Sequence, residues 1–374
     1  MNMKTNIFGG ERMVKISLCM IVKNEEEVLH QCLNSVNDLV DEIIIVDTGS
    51  TDKTKEIASQ FTEKIFDFEW VDDFSKARNF AFSKATMDYI FWMDADDVLL
   101  EEDQVKFQQL KDSLANKVDA VSMLYHIAFD EYDNPTFSFR RNRLVKRARN
   151  FQWYGAVHEY LQVGGNIISS DVAITHRKKD KSINRPQSDR NLKIYEKRLE
   201  KGETFTPRDL FYYSNELKDH GQYEKAIQFY NKFLSEDKGW VEDKIRACIN
   251  LAACYRSLGD AEKEIDALLK SLVYDVPRPE VSCRMGDLYK EQKLYEKAII
   301  WYHLATNVST ENIMGFRQES YSTWYPYLQL CVCYWNIGEK ELAVKYNNKA
   351  KAYRPHDPAV LKNEEFFNSY FANK

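Results

Sequence analysis

The pattern of hydrophobic and polar positions divides the chain into two halves of different character. In the first half, continuous apolar runs such as residues 16–22 and 42–46 are rich in β-branched residues and predict buried strands. Between them, apolar positions three and four residues apart, as at Leu29, Cys32 and Leu33, predict helices. Because strands and helices alternate at the spacing of βαβ units, we expect an α/β domain with a mostly parallel sheet and helices on both faces.

From about residue 186 the strand pattern stops, and an internal repeat takes its place. Similar segments begin at residues 221, 259, 293 and 338, so that successive copies are 38, 34 and 45 residues apart. These segments resemble tetratricopeptide repeats, which are pairs of helices with a period of about 34 residues. The second half is therefore expected to be an all-α domain of TPR-like repeats.

Composition narrows the class of protein without identifying a chemistry. The chain has 374 residues and a net charge of −6, which argues against a general polyanion binder and against nucleic acid as a partner. No stretch is long and apolar enough for a transmembrane segment. The seven cysteines lack a C-x-x-C motif and predict buried free thiols in a reducing cytoplasm. We therefore expect a cytoplasmic protein with two domains.

The densest candidate for chemistry is an apolar run that ends in Asp94, Asp96 and Asp97. In an open α/β sheet, ligands bind beyond the carboxyl ends of the strands. In extended backbone Asp94 and Asp96 can face the same side, where two carboxylates repel each other unless a cation lies between them. Mg²⁺ prefers one or two carboxylates plus phosphate oxygens. The alternative is that Asp96 or Asp97 caps a helix over residues 98–111.

Polar residues follow the other predicted strands as well, and together they suit a nucleotide. Asp47 can accept a hydrogen bond from a base, Arg78 can bind a phosphate or a base carbonyl, and Asp94 can hold ribose hydroxyls. Some of these residues also have a structural interpretation. Asp47 can be a turn residue, Arg78 can lie on a helix surface, and Asn24, after the first predicted strand, can cap a helix. The sequence contains neither G-x-G-x-x-G nor a P-loop motif, so a dinucleotide fold is not supported.

Four motifs together strongly resemble family 2 glycosyltransferases of the GT-A fold. They are ISLCMIVKNE, VDTGSTD, DFSKARN and WMDAD, and the resemblance covers at least residues 14–100. It implies a UDP-sugar donor, a divalent metal (Mn²⁺ or Mg²⁺) on Asp96, inversion at the anomeric carbon, and contacts from Asp47 to the base and from Asp94 to the ribose or base. The expected nucleotide-binding residues are Val22, Asn24, Glu25, Asp47, Arg78, Asn79, Asp94 and Ala95.

Inverting transfer needs a carboxylate that takes the acceptor proton as the new bond forms. Glu159 is the candidate because aromatic residues and Gly155 surround it. The same Gly-x-Val-His-Glu arrangement occurs in glycosyltransferases that join this domain to helical repeats. Asp97 is the alternative base, and His158 is expected to be a packed, hydrogen-bonded residue.

Two further segments carry candidate ligands. Residues 172–176 predict a final strand that ends in His176, which can be a third protein ligand of the metal, as in related enzymes, or a surface residue. The following Lys178 and Lys179 can contact a diphosphate. The basic stretch 140–149 predicts a strand with a mostly solvated charged face, in which one or two residues contact the diphosphate or an acidic acceptor.

The layout resembles bacterial S-glycosyltransferases of glycopeptide bacteriocins and flagellin-type protein glycosyltransferases. The resemblance implies transfer of a hexose or N-acetylhexosamine to a peptide or protein Ser, Thr or Cys side chain held by the repeats, which can also support a homodimer. Alternatives are a glycan or glycolipid acceptor and a non-catalytic TPR scaffold. The predicted regions are a leader (1–13), a GT-A domain (14–185), a linker helix (186–204), TPR-like repeats (205–365) and a tail (366–374).

Overall fold

In the computed structural model, the structure describes residues 13–115, 117–129, 135–177, 189–307 and 318–372. The chain divides between residues 186 and 187 into two compact units. The division falls one residue beyond the predicted end of the first domain. Most of the predicted leader (1–13) lies outside the described residues.

The first unit is an α/β domain. Its helices are α1 (Leu29–Asn34), α2 (Thr54–Ala58), α3 (Phe74–Lys84) and α4 (Glu101–Ser113). Its strands are β1 (Ile16–Val22), β2 (Glu42–Asp47), β3 (Ile65–Asp67), β4 (Tyr89–Trp92), β5 (Asp97–Val98), β6 (Ala120–Phe129), β7 (Pro135–Lys146), β8 (Gln152–Tyr154), β9 (Tyr160–Gln162) and β10 (Ile167–His176).

Eight of these strands form one sheet in the order β3-β2-β1-β4-β7-β6-β10-β5. The first four strands in this order pair in parallel, as the βαβ pattern predicts. β7 runs antiparallel to both of its neighbours, so the sheet becomes mixed beyond β4. β8 and β9 form a separate antiparallel pair.

Apolar residues cover both faces of the sheet, as expected for strands that lie between two layers of helices. On β1, Leu18 and Met20 belong to one buried cluster, whereas Cys19 between them belongs to the cluster on the other face. The first cluster includes Leu29 of α1, and the second includes Ala81 of α3. All seven cysteines lie within the described residues and are free and buried, which confirms the predicted thiols.

The segment that carries the three aspartates differs from the prediction. β4 ends at Trp92, and a hydrogen bond of 3.1 Å from Asp97 N to Asp94 O closes a turn, so Asp94 and Asp96 do not follow one another along an extended strand. The next helix begins at Glu101 rather than at residue 98, and Leu100 precedes it. Neither Asp96 nor Asp97 caps this helix, so the helix-cap alternative was wrong.

The second unit consists of helices among its described residues. After α5 (Arg190–Glu200), consecutive helices pair as TPR-like hairpins, which confirms the predicted repeats. Gly221, Gly259 and Gly338 follow the first helix of their pairs with positive φ, and Lys293 takes the same conformation in the third pair. The remaining helices are α6 (Pro207–Asp219), α7 (Tyr223–Glu236), α8 (Val241–Ser257), α9 (Ala261–Lys270), α10 (Pro279–Glu291), α11 (Tyr295–Asn307), α12 (Trp324–Asn336), α13 (Lys340–Tyr353) and α14 (Pro358–Ala372).

Both ends of the second unit differ from the predicted linker and tail. Tyr195 of α5 is fully buried and packs against Tyr213 of α6, so α5 is part of the helical unit. At the other end, α14 continues into the predicted tail as far as Ala372 and buries Phe367 against Trp335. Among the described residues, no helix combines the length and the apolar character that crossing a membrane requires.

Candidate active site of the first unit

Arg78 of α3 joins two acidic residues that are far apart in the sequence. Its Nε donates to Glu159 Oε1 and its NH2 group donates to Asp94 Oδ1, each at 2.6 Å. The guanidinium also lies near the rings of Trp92 and Trp153, at 5.0 and 4.8 Å from their centroids. Arg78 is therefore engaged by these side chains, whereas its predicted contact with a phosphate or a base carbonyl stays a prediction.

The charges at this point stabilise one another. Burial alone would raise the pKa of Asp94, but Arg78, Arg143 and Arg141 lower it well below its usual range. Burial would likewise lower the pKa of Arg78, but the charges of Asp94 and Glu159 raise it. Asp94 is therefore a carboxylate, and its environment is a cluster of guanidinium groups.

Glu159 reaches Arg78 because of the turn between β8 and β9. Gly155 adopts a φ of +97° at the start of this turn, a conformation that favours glycine. Phe74 N at the start of α3 donates to Ala156 O at 2.8 Å, which ties the turn to the helix that carries Arg78. The side chain of Glu159 is 12% exposed, so it is accessible at the edge of the cluster.

Asn79 serves this turn rather than a ligand. Its amide nitrogen donates to Trp153 O at 3.0 Å, and its oxygen accepts from Trp153 N at 2.8 Å. Both ends of the amide are thereby used to hold β8 against α3. The predicted nucleotide contact of Asn79 is thus not supported, because the local backbone takes its hydrogen bonds.

Asp96 and His176 form a second group beside the first. His176 Nδ1 lies 3.4 Å from Asp96 Oδ1 and 3.7 Å from Asp97 Oδ1. One ligand atom from each of these three residues can be chosen so that all lie within 4.8 Å of one another, an arrangement that can hold a metal ion. Burial lowers the pKa of His176, but hydrogen bonds to Asp96 and Asp97 outweigh it and raise the pKa to about 9. Carboxylates that stabilise a protonated imidazole also favour a metal ion, whose binding to His176 requires loss of that proton.

Asp97 differs from Asp96 in its surroundings. Its side chain is fully buried, forms an ion pair with Arg143 at 3.0 Å and accepts the hydroxyl of Tyr125 at 2.9 Å. It also accepts Asp94 N at 3.1 Å, which connects the two groups of the site. A carboxylate held in this way cannot reach an acceptor, so Asp97 is not suited to be the alternative base.

Arg143 is an exception within the basic stretch 140–149, for most of which the sequence predicts a solvated strand face. The pairing of β6 with β7 skips Arg143, because Val121 pairs with Leu144 and Ser122 pairs with Asn142. Such a bulge turns a side chain away from the normal alternation. Arg143 is consequently 0% exposed and points to Asp97. Tyr125 was missed for a different reason: nothing in its strand pattern distinguishes it from an ordinary core residue.

The predicted base-binding residue Asp47 lies at the end of β2. Its Oδ1 accepts the backbone N–H groups of Gly49 and Ser50 at 2.9 and 2.8 Å. Its Oδ2 is buried and has no hydrogen-bond partner among the described residues. One carboxylate oxygen thus fixes the turn, and the other is an unused acceptor.

The other predicted donor-site residues hold the loops after β1 and β2 together. Thr48 N donates to Val22 O at 3.0 Å, and Thr51 N donates to Asn24 Oδ1 at 2.8 Å. Glu25 N donates to Thr54 Oγ1 at 2.7 Å. Ala95 is buried in the turn after β4, whereas Lys178 and Lys179 lie outside the described residues.

Comparison with known proteins agrees with this architecture. Residues 17–169 match the family model of glycosyl transferase family 2, and residues 245–274 and 279–312 match a tetratricopeptide repeat model. The first unit is therefore similar to family 2 glycosyltransferases over most of its length, and the second unit is similar to tetratricopeptide repeats over residues 245–274 and 279–312.

Three curated relatives show how far the similarity extends. The SPbeta prophage-derived glycosyltransferase SunS of Bacillus subtilis is 30% identical over 60% of this chain and 54% of its own length. A TPR repeat-containing protein of Synechococcus elongatus is 50% identical over 26% of this chain and 24% of its own. An uncharacterized glycosyltransferase of Rickettsia felis is 38% identical over 25% of this chain and 34% of its own. The chain thus spans about half or less of the length of these relatives.

Proposed function

We propose that this protein is a glycosyltransferase that moves a hexose or N-acetylhexosamine, with inversion, from a UDP-sugar to a Ser, Thr or Cys side chain of a peptide or protein. The observation that carries the proposal is the link that Arg78 makes between Asp94 and Glu159. Asp94, a candidate nucleotide-binding residue, and Glu159, the candidate base, thus bind the same guanidinium. Asp96 and His176, the candidate metal ligands, lie beside this link through the turn that joins Asp94 to Asp97.

The donor nucleotide would lie along the carboxyl ends of β2 and β4. The unused Oδ2 of Asp47 is an acceptor suited to a base N–H, and Asp94 is a carboxylate suited to ribose hydroxyls. Because Arg78 already neutralises Asp94 and Glu159, we assign it to positioning these two side chains rather than to the phosphates. Val22, Asn24, Glu25 and Ala95 would shape the walls of this site through their backbone.

Asp96 and His176 would hold a divalent metal, Mn²⁺ or Mg²⁺. The donor set fits, because a half-exposed carboxylate and an imidazole leave room for phosphate oxygens, and mixed oxygen and nitrogen ligands suit Mn²⁺. When bound, such a metal would neutralise the charge of the diphosphate. Asp97 would orient His176 from the buried side, since its own oxygens are used by Arg143 and Tyr125.

Glu159 would be the general base. In the proposed reaction the acceptor O–H or S–H proton passes to Glu159, the acceptor atom bonds to the anomeric carbon, and the bond from that carbon to the diphosphate oxygen breaks. The electron pair leaves with the diphosphate. The ion pair with Arg78 fixes the direction of the carboxylate, which is what a positioned base needs.

The repeats would hold the acceptor, because stacked helix pairs form an extended surface suited to a peptide. The same surface can support a homodimer. A glycan or glycolipid acceptor would use the same donor chemistry, and a scaffold without activity would use none.

Release of UDP from UDP-hexoses and UDP-N-acetylhexosamines, with Mn²⁺ and with EDTA, tests the proposal on the full chain. We expect slow, metal-dependent release from one sugar class and faster release in the presence of an acceptor peptide found on a peptide array. Acceleration by glycolipid vesicles instead would overturn the acceptor assignment. If UDP were released under none of these conditions, the proposal that this protein is an enzyme would be contradicted.

A further inference from the structure

Three arginines surround the ring of Trp92 in the candidate site. Their guanidinium carbons lie 3.9 Å (Arg143), 5.0 Å (Arg78) and 5.7 Å (Arg141) from its centroid. All three also lower the pKa of Asp94. Because three guanidinium groups lie near Asp94, the pairing of each arginine with other side chains indicates its role.

Two of the three are already paired. Arg78 binds Asp94 and Glu159, each at 2.6 Å. Arg143 is fully buried and forms an ion pair with the fully buried Asp97 at 3.0 Å. Neither guanidinium can turn to a ligand without leaving a carboxylate of the site uncompensated.

Arg141 is different. It has no hydrogen bond or ion pair within the part of the chain that the structure describes, and it is partly exposed. Its guanidinium is held by aromatic rings, at 5.2 Å from the centroid of Phe139 and 5.4 Å from that of Tyr125. Burial and the nearby Arg143 lower the pKa of Arg141, although Asp94 opposes them, so its positive charge is poorly compensated.

We propose that Arg141 binds the diphosphate of the donor through a two-pronged hydrogen bond to phosphate oxygens. This inference rests on the proposed function and assigns the residue that faces the leaving group. A guanidinium fork fits a phosphate, and the aromatic rings around it restrict its motion before the ligand arrives. As the bond to the anomeric carbon breaks, the departing oxygen gains charge, and Arg141 stabilises that charge on UDP.

Calorimetric titration of the full-length Arg141→Ala and Arg141→Lys variants tests the assignment, with uridine, UDP and inorganic diphosphate as ligands and EDTA present to remove metal. Arg140→Ala is the matched control. It removes the same charge from the next residue, whose guanidinium binds the backbone oxygens of Ser122 and Ser170. Arg141→Ala should weaken UDP and diphosphate by at least about tenfold, and Arg141→Lys by less, because lysine keeps the charge and loses the fork. Uridine should bind all variants equally, and Arg140→Ala should match the wild type.

The outcomes separate this inference from the proposed function. Equal UDP affinity in the wild type and Arg141→Ala would overturn the assignment of Arg141 and leave the donor proposal in place. Equal weakening of uridine and UDP would also overturn it, because the residue would then shape the pocket as a whole. If Arg141→Ala raised only the KM of a peptide acceptor, Arg141 would face the acceptor instead. If diphosphate binding required Arg141 but UDP did not bind the wild type even after Mn²⁺ replaced EDTA, the anion site would stand and the UDP donor would fall.

Discussion

Two neighbouring aspartates have opposite surroundings in this protein, and the difference defines their roles. Asp96 is 35% exposed and faces His176, whereas Asp97 is fully buried between Arg143 and Tyr125. The first can exchange its partner for a metal ion. If Asp97 moved away, the guanidinium of Arg143 would be left buried without its counter-charge.

Substitution of these two residues should therefore affect stability very differently. Asp97→Ala leaves Arg143 buried without its partner and should lower the free energy of unfolding by about 3–5 kcal/mol. Asp96→Ala removes a partly exposed side chain and part of the stabilisation of protonated His176, and should lower it by less than about 2 kcal/mol. Urea denaturation of both variants measures the difference. Equal losses of stability would contradict the claim that Arg143 depends on Asp97 for its counter-charge.

Glu159 offers a test of chemistry without loss of binding. Glu159→Gln keeps the size of the side chain and an oxygen for Arg78, but the amide cannot take a proton. We expect UDP to bind as in the wild type while sugar transfer falls by roughly 10²–10⁴-fold. UDP titration and a transfer assay on the same preparation give both numbers, and transfer at the normal rate would remove Glu159 as the base.

At the scale of elements, Glu42 ties together the amino ends of the parallel strands. It accepts hydrogen bonds from Ser17 of β1 and from the backbone and hydroxyl of Thr86, and it forms an ion pair with Lys64. Burial would raise its pKa, but the hydrogen bonds from Lys64, Ser17 and Thr86 lower it to about 2. The ionised form is thus the one that the fold stabilises.

The consequence is a pH-dependent contribution to stability. Because the pKa of Glu42 is lower in the folded chain than in the unfolded chain, its contribution is complete above about pH 5 and is lost as the pH falls toward 2. Glu42→Gln should therefore be less stable than the wild type at pH 7, and the gap should narrow with acid. Denaturation between pH 3 and 7 measures it. Glu63→Gln at an exposed position is the control, and a gap that does not depend on pH would contradict this account.

Close packing between the helices of one repeat makes a second prediction at this scale. A Cβ on Gly286 of α10 would lie 2.7 Å from the ring of Tyr302, which is fully buried and donates its hydroxyl to Asp287 at 2.6 Å. Gly286→Ala should therefore destabilise the protein by about 1–3 kcal/mol despite the better helix propensity of alanine. The denaturation midpoint measures this. In a Tyr302→Leu background the same substitution should cost less, and an equal cost in both backgrounds would exclude the clash as the cause.

The elements that the sequence predicts well are those whose signal is local. Apolar runs and helical spacing predict the parallel strands and the repeats, because burial on both faces and stacking leave a periodic trace. The turn at residues 94–97 and the bulge at Arg143 leave no such trace, since both depend on pairing with distant residues. The sequence predicts that Asn79 and Arg78 reach the edge of the sheet at which the strands end. It does not predict their partners Trp153 and Glu159, which come from a later hairpin without a local sequence pattern.

At the scale of the whole molecule, the proposed donor makes a prediction that does not require an acceptor. UDP present at 100 times its dissociation constant should stabilise the fold that binds it by about 2.7 kcal/mol. For a unit of this size, that corresponds to a rise in Tm of roughly 5–10 °C. Thermal unfolding of the full chain with UDP, GDP or CDP and Mn²⁺ measures it. A larger shift with GDP or CDP than with UDP would contradict the choice of nucleotide.

The most direct test of the central claim is the anomalous diffraction of manganese in a crystal of this chain grown with UDP and Mn²⁺. We expect one strong peak between the Asp96 carboxylate and His176, with the diphosphate of UDP against it. A peak elsewhere, or UDP bound away from the carboxyl ends of β2 and β4, would contradict it.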